Sequence, residues 1–515
     1  MRRKNIIVLL MALFMLAGCS AIKQSGDEET ENSRPGPIRE RPEYNDHQSL
    51  FFPMSRRSFS EKHQMEDITS QEIYDALEGF DGRGYIMLEE NRRADFELNV
   101  PSTQHYTIGI KALSEGAVAV LTADGVRQGA YYISSDEFAM HVLYGIYLEA
   151  GVNRMSLIVL RGTAYIDYIT VNDFELPESR FSVSRLPAND NASNPVRWLM
   201  DYFGETFGNR VLLAQHVTPG TNTEIGAIFE ATGRFPAIRV SDLMHYSRSF
   251  TGAVLENDDI ELALEWAESG GIVSYDWTWY SPPVNGGRSH FSAEAADLNL
   301  NDAFTTSQIA DLDAERVKSL YEAGAVSQTC YELVLDIDHM AEVLTRLRDE
   351  NVVVLWRPLH QAGTRWFWWG DCEPEAYRWL WRLMFTRFSD YHGLNNLIWV
   401  WSGQDAEYYP GDRYVDIIGE DIYNTDETSN LPRFIGTADY SGRRKMAAMT
   451  ECGLLPSPDL LNRDRAMWLW TALYRGDYLT DQSGQLNYVF NPQERLERAY
   501  NHELTVTLDK LPEEF

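Results

Sequence analysis

Two hydrophobic rhythms divide the chain. Between about Gln64 and Glu178 apolar and polar residues alternate in short runs. Ala94-Asp95-Phe96-Glu97-Leu98-Asn99-Val100, Tyr106-Thr107-Ile108-Gly109-Ile110 and Met155-Ser156-Leu157-Ile158-Val159 each put their apolar side chains on one face. This pattern predicts half-buried antiparallel strands. The turn residues Pro101-Ser102, Ala123-Asp124-Gly125 and Ala150-Gly151-Val152-Asn153 separate them, as in a small, jelly-roll-like all-β sandwich. Further on, unbroken apolar runs replace the alternation. Val211 to Val217, Ala237 to Leu243, Gly271 to Trp279, Val352 to His360, Leu397 to Ser402, Val415 to Tyr423 and Met446 to Glu451 read as strands covered on both faces. An eighth is expected within Met467 to Tyr478. Helical spacing fills the gaps, as in Tyr377, Leu380, Trp381, Met384, Phe385 and Phe388 just after Pro374, and in Ile337, Met340, Ala341, Leu344 and Leu347. Buried strands alternating with helices over this length predict an α/β fold, a TIM (β/α)8 barrel, following the sandwich.

The N-terminus follows neither rhythm. Arg2, Arg3 and Lys4 precede an apolar run from Ile6 to Leu16, which closes on Leu16-Ala17-Gly18-Cys19, the pattern of a bacterial lipoprotein signal. The run is shorter than the ~20 residues that a membrane span needs. Cys19 is therefore expected to be acylated, tethering the chain to a membrane of the bacterial cell envelope, outside the cytoplasm. Residues 20–60 are polar and charged and carry Asp27-Glu28-Glu29-Thr30-Glu31 and Arg34-Pro35-Gly36-Pro37, the text of a flexible tether. The expected organisation is a signal at 1–19, a linker at 20–60, a β-sandwich module at 61–182 and a barrel at 190–515.

Composition narrows the function. A chain of 515 residues exceeds the usual size of one domain, which suits two folded units plus tails. A net charge of −32 argues against nucleic acid as a partner. After Cys19 three cysteines remain, Cys330, Cys372 and Cys452, an odd number without metal-site spacing. Cys330 and Cys372 either bridge or stay as buried thiols; Cys452 reads as packing. No glycine-rich phosphate loop precedes a helix.

Candidate chemistry gathers at strand ends. Val352 to Gly370 reads VVVLWRPLHQAGTRWFWWG: a buried strand, then Arg357, His360 and Gln361, then Trp366, Phe367, Trp368 and Trp369. This stretch resembles glycoside hydrolase family 26, mostly β-mannanases, in which an Arg-Pro-Phe/Leu-His-Glu run precedes a Trp-rich loop and its Glu is the proton donor. Ile398 to Asn424 resembles the next two strands of that family, and Ala447-Ala448-Met449-Thr450-Glu451-Cys452-Gly453 resembles the strand that carries its nucleophile. The resemblance covers most of the chain from about Asn194. It implies retaining hydrolysis of β-mannan or a related plant polysaccharide without a cofactor, with Glu451 as nucleophile and Gln361 in the acid/base seat. His360, Trp366, Tyr423, Trp277, Tyr474 and Arg357 are the implied substrate-side residues, Tyr423 orienting the nucleophile and Arg357 bracing barrel carboxylates. Trp368 and Trp369 are expected in the core.

Three departures stand out. An amide has no proton to give, so Gln361 removes the general acid, a contribution worth ~10²–10⁴-fold. It reads either as a Glu→Gln change that traps substrate or as natural divergence. Trp277-Thr278-Trp279 stands where the family usually has Trp-His-Trp, and Tyr474 where a Trp platform is usual. Glu420 and Asp421 are candidates for a relocated acid. The second reading is therefore a glycan-binding surface lipoprotein with a degenerate barrel. Gly79-Phe80-Asp81-Gly82-Arg83-Gly84-Tyr85, Tyr147 to Asn153 and Tyr165 to Val171 resemble carbohydrate-binding module family 35, which implies a possible structural calcium, with Asp167 as one candidate ligand.

Overall fold

The computed structural model describes residues 59–512 except positions 425 and 443. The signal pattern, Cys19 and the tether up to residue 58 lie outside the described residues. No helix among the described residues is long and apolar enough to cross a membrane.

The N-terminal unit contains β1 (Ser60–Gln64), β2 (Ile73–Tyr74), β3 (Tyr85–Glu89), β4 (Arg93–Val100), β5 (Gln104–Ala123), β6 (Val126–Leu148), β7 (Gly151–Arg161) and β8 (Thr163–Asp173). Burial alternates residue by residue along β4, as its text predicts. The two layers of the expected sandwich are a single curled antiparallel sheet, because β5 is long enough to serve both. Its first half, from Tyr106 to Leu113, pairs with β8, and its second half, from Val118 to Ala123, pairs with β7. The bend between them falls at Ser114 to Ala117, where the Ser114 hydroxyl donates to the Thr163 carbonyl at 2.7 Å and Gly116 takes a φ of 137°. Asp124 and Gly125, both at positive φ, form the two-residue turn into β6, the backbone that Asp-Gly favours in a tight hairpin.

The second unit is a closed ring of eight parallel strands: β9 (Val211–His216), β10 (Ile238–Asp242), β11 (Ile272–Trp277), β12 (Val354–Pro358), β13 (Leu397–Trp401), β14 (Ile417–Ile422), β15 (Met446–Cys452) and β16 (Trp470–Leu473). β9 closes the ring by pairing with both β10 and β16, and β17 (Thr505–Val506) adds to the start of β9. Every residue of β9, β11, β12, β13, β14, β15 and β16 is buried, which is why these strands read as unbroken apolar runs. Helices such as Gln328–Asp349 and Pro374–Thr386 cover the ring and bury their Leu, Met and aromatic stripes against it.

The curled sheet packs on the barrel beside the segments that follow β14 and β15. His105 pairs with Asp464 at 2.9 Å, and the Arg463 guanidinium lies 3.9 Å from the centre of the Tyr147 ring. A Cβ on Gly145 would meet the Leu431 side chain of the barrel helix Leu431–Gly436, so a larger residue there would have to displace that side chain.

Candidate active site

The ends of β11, β13, β14 and β15 converge on Arg357, which lies on β12. Its guanidinium grips Asp276 with two hydrogen bonds of 2.6 and 2.9 Å, donates to Asp421 at 2.8 Å and to the Ser402 hydroxyl at 3.1 Å, and contacts Glu451 through Nη2. Arg357 is 2% exposed and all of these bonds go to protein groups, so it braces the site instead of holding substrate. Burial disfavours the charge on Asp276, but Arg357 outweighs it and holds the carboxyl below its usual range.

Glu451 ends β15 and is nearly inaccessible. The Tyr423 hydroxyl donates to its Oε2 at 2.6 Å, while Arg357 sits on Oε1. Burial and the neighbouring Asp421 nevertheless raise its pKa, against the pull of Arg357. Tyr423 is itself held well above the usual phenol range by burial and by Glu451. It is therefore a standing donor to the carboxylate.

Gln361 occupies the end of β12 in a strained turn. Leu359 and Gln361 both take left-handed backbone, with φ of 52° and 54°, conformations that cost ~1–3 kcal/mol each for residues with side chains. Four hydrogen bonds hold the turn. Gln361 N–H donates to the Ser402 carbonyl at 2.9 Å and Gly363 N–H to that of Gly403 at 2.9 Å; the Trp369 indole reaches the His360 carbonyl and the Tyr377 hydroxyl the Leu359 carbonyl, both at 2.9 Å. The turn aims the Gln361 amide at two carboxylates, Asp421 at 2.7 Å and Glu451 at 3.3 Å. That leaves no space for a water between positions 361 and 451. Inverting hydrolases need one, with carboxyl groups ~6.5–9.5 Å apart.

Asp421 accepts from Arg357, Gln361 and the Thr450 hydroxyl, the last at 2.6 Å. Its oxygens are engaged as acceptors. Glu420 points elsewhere and accepts from Tyr440 at 3.1 Å. Neither aims a spare O–H into the cleft, which removes the basis for a relocated acid.

The aromatics sort by burial. Trp277 stacks on Trp279 at 4.1 Å and its indole donates to Ser247 at 3.0 Å, so it offers no face to a sugar; its expected substrate role is corrected to packing. Thr278, where an imidazole was expected, binds Asp242 through both its amide, at 2.9 Å, and its hydroxyl. Trp368 and Trp369 are core residues. Trp366 is half-buried and continues a track of rings through Phe291, Tyr280 and Phe250, with centres 5.0–5.5 Å apart. Tyr423, Tyr474 and Tyr478 form a second cluster with centres 5.4–6.3 Å apart, which reaches Glu451 through Tyr423. His360 is buried against Phe367 and Trp369, and burial pushes its pKa down to about 4, so it is neutral near pH 7.

Two residues of the site escaped the sequence reading. His216, at the end of β9, shares a hydrogen bond with the Thr450 carbonyl at 2.9 Å and lies 3.8 Å from Asp276; burial lowers its pKa to about 4. Its signal was a polar residue closing an apolar strand. Thr450, beside Glu451, hydrogen-bonds both His216 and Asp421.

His216, Asp276 and Glu451 have ligand-type atoms within 4.8 Å of one another, but the Arg357 guanidinium already bridges the two carboxylates with a positive charge. Gln64 Oε1, Glu66 Oε2 and Asp167 Oδ1 are buried oxygens without a hydrogen-bond partner, on residues that surround the Gly79 to Arg83 loop. All-oxygen donors are what calcium takes, although Lys111 already lies 3.2 Å from the other Asp167 oxygen.

The family model for glycosyl hydrolase family 26 matches residues 188–510, nearly the whole barrel unit. The chain belongs to glycosyl hydrolase family 26. It is 30% identical over 448 residues to a mannan endo-1,4-beta-mannosidase of Thermothelomyces thermophilus, covering 85% of this chain and 87% of that protein. It is 27% identical to mannan endo-1,4-beta-mannosidase A of Piromyces sp, covering 85% and 70% respectively. Among solved structures, the GH26-CBM35 beta-(1,4)-mannanase of Podospora anserina superposes with a TM-score of 0.56 at 28% identity, over 89% of this chain and 99% of that one. A ruminal GH26 endo-beta-1,4-mannanase gives a TM-score of 0.65 at 23% identity, over 90% and 99%, a likeness of fold.

Proposed function

We propose that this family 26 hydrolase acts on β-1,4-mannan by double displacement at Glu451, with Gln361 in the seat of the acid. The observation that carries the reading is the hydrogen-bonding of Glu451 by Tyr423 and Arg357 with the position-361 side chain beside it. Substrate class rests on the relatives named for mannan. In this reading Trp366 and its ring track bind sugar on one side of the bond to be cleaved, and Tyr423 and Tyr474 on the other. Breaking a glycosidic bond to an ordinary sugar needs a proton on the leaving oxygen, which Gln361 lacks, so turnover of mannan is slow.

The same amide favours a second reading, capture of mannan without turnover. Release of oligosaccharides from mannan and glucomannan, with binding measured alongside, separates the two when done on this chain and on Gln361→Glu. A rise of ~10²–10⁴-fold in the variant supports an enzyme lacking only its acid. Binding with no rise supports capture and sinks the hydrolase reading.

The resemblance of the curled sheet to a carbohydrate-binding module supports a role in holding polysaccharide near the cleft. Gln64, Glu66 and Asp167 would hold a structural calcium there, joining β1 and β8 to the Gly79 to Arg83 loop. The Leu16 to Cys19 pattern supports lipid anchoring in the cell envelope. Globomycin-sensitive processing and palmitate labelling test it; labelling that survives Cys19→Ala refutes it.

A further inference from the structure

We propose, resting on the β-mannoside reading, that this site transfers mannosyl units from donors whose leaving group departs as an anion to acceptors that arrive already ionised, in preference to water. The nucleophilic half of the site is complete and the acid half is replaced, not emptied. Tyr423 and Arg357 both hold Glu451. Gln361 keeps the turn at the end of β12 and presents an N–H 3.3 Å from Glu451 Oε2, beside the position where leaving and incoming groups must pass.

In the first step a lone pair of a Glu451 carboxylate oxygen attacks the anomeric carbon. The bond from that carbon to the leaving group breaks, and its electron pair departs on the leaving atom. A group stable as an anion, such as a dinitrophenolate or a phosphate, needs no proton. In the second step an anionic acceptor attacks the anomeric carbon, the ester bond to Glu451 breaks, and that electron pair returns to the carboxylate. No proton moves in either step. Water as acceptor must shed a proton while it attacks, and an amide does not take one.

The charge at position 361 sharpens the preference. A glutamate there, once it has given its proton to a leaving oxygen, would be ionised as the second step begins and would repel an approaching anion. Gln361 is neutral, so it adds no such repulsion. The position that disables hydrolysis therefore favours anionic acceptors.

The test uses 2,4-dinitrophenyl β-mannobioside with the full chain, Gln361→Glu and Glu451→Ala, in rapid mixing with and without azide. The expected result is a burst of about one phenolate per protein and a mass gain of one mannobiosyl unit. Azide should then raise the steady rate at least ~10-fold and yield the β-configured mannobiosyl azide, the deglycosylation step being limited by the missing base. Gln361→Glu should lose the response to azide, and Glu451→Ala should give no burst. Mannotetraose binding is measured on the same samples. Binding without phenolate release, a burst without azide acceleration, or an α-configured azide overturns this proposal alone. Failure of this chain and Gln361→Glu both to bind mannotetraose and to release phenolate overturns the mannoside reading with it.

Discussion

Replacing Arg357 by methionine keeps the length of the side chain and removes the positive charge that Asp276, Asp421 and Glu451 share. The cation now contacts all three carboxylates and is 2% exposed. Removing one partner of a buried pair costs ~3–5 kcal/mol, against ~5–15 kcal/mol for the stability of a typical domain. The cost should depend on pH in a defined direction. Asp276 now has a pKa held below the ordinary value, while Glu451 is raised. Without the guanidinium Asp276 loses the charge that offsets its burial and Glu451 rises further, so the folded variant binds more protons than the unfolded chain. Its stability is then kept at low pH and lost as pH rises through those raised values, at about 1.4 kcal/mol for each tenfold gain in a carboxyl's proton affinity on folding. We expect a loss of about 1–2 kcal/mol near pH 5 growing to about 4–5 kcal/mol near pH 8. All 14 tryptophans lie at or beyond Trp198, so urea unfolding followed by indole fluorescence reports the barrel. Arg357→Lys retains a charge but not the fork, and should show a smaller loss with little pH dependence. Equal losses at pH 5 and pH 8 for the methionine variant, or a loss below about 1 kcal/mol, would refute the account of Arg357 as the counter-charge of the site.

Three further outcomes follow from the geometry. With an aryl mannobioside, kcat/KM should rise with pH as Glu451 loses its proton, above the usual carboxyl range, and then stay flat, because Gln361 supplies no group whose deprotonation ends activity; Gln361→Glu should add an alkaline limb, and a bell-shaped profile in the unaltered chain would contradict the assignment. Tyr423→Phe deletes the 2.6 Å hydrogen bond to Glu451, a charged acceptor, and should slow formation of the glycosyl-enzyme by roughly 10–100-fold at unchanged mannotetraose affinity, read from the phenolate burst rate; an unchanged rate would remove Tyr423 from the mechanism. Trp366→Ala should weaken mannotetraose binding by about 2–10-fold in calorimetry with little change in unfolding midpoint, since the ring is half-buried and lies at the end of its track; equal affinity would place the sugar elsewhere.

The frame was legible where one physical demand dominates. Strands buried on both faces must be apolar throughout, which is why β9 to β16 could be read directly and why Glu451, Tyr423 and Gln361, the polar residues closing such runs, drew notice. What the text hid is partnership between distant strand ends. Trp277 and Trp366 are the same residue type in aromatic-rich stretches, and burial alone separates a ring locked on Ser247 and Trp279 from one left half-open. His216 acts through Thr450 and Asp276, 234 and 60 positions away, contacts that only the closed ring creates. Likewise β5 serves two layers because a bend at Ser114 to Ala117 redirects it, and nothing in its alternation marks where one partner strand gives way to the next.

Gln361 is where the two kinds of information meet. Its chemistry was plain from the residue type, but its electrostatic setting was not. The amide lies against Asp421 and Glu451, so a glutamate placed there would face two carboxylates and would keep its proton until well above the usual carboxyl range. The setting is therefore built to hold a protonated acid, a neutral group that donates one hydrogen bond. Glutamine satisfies that demand at every pH, which is how the chain can lose its acid without losing the turn, the nucleophile or the network around Arg357.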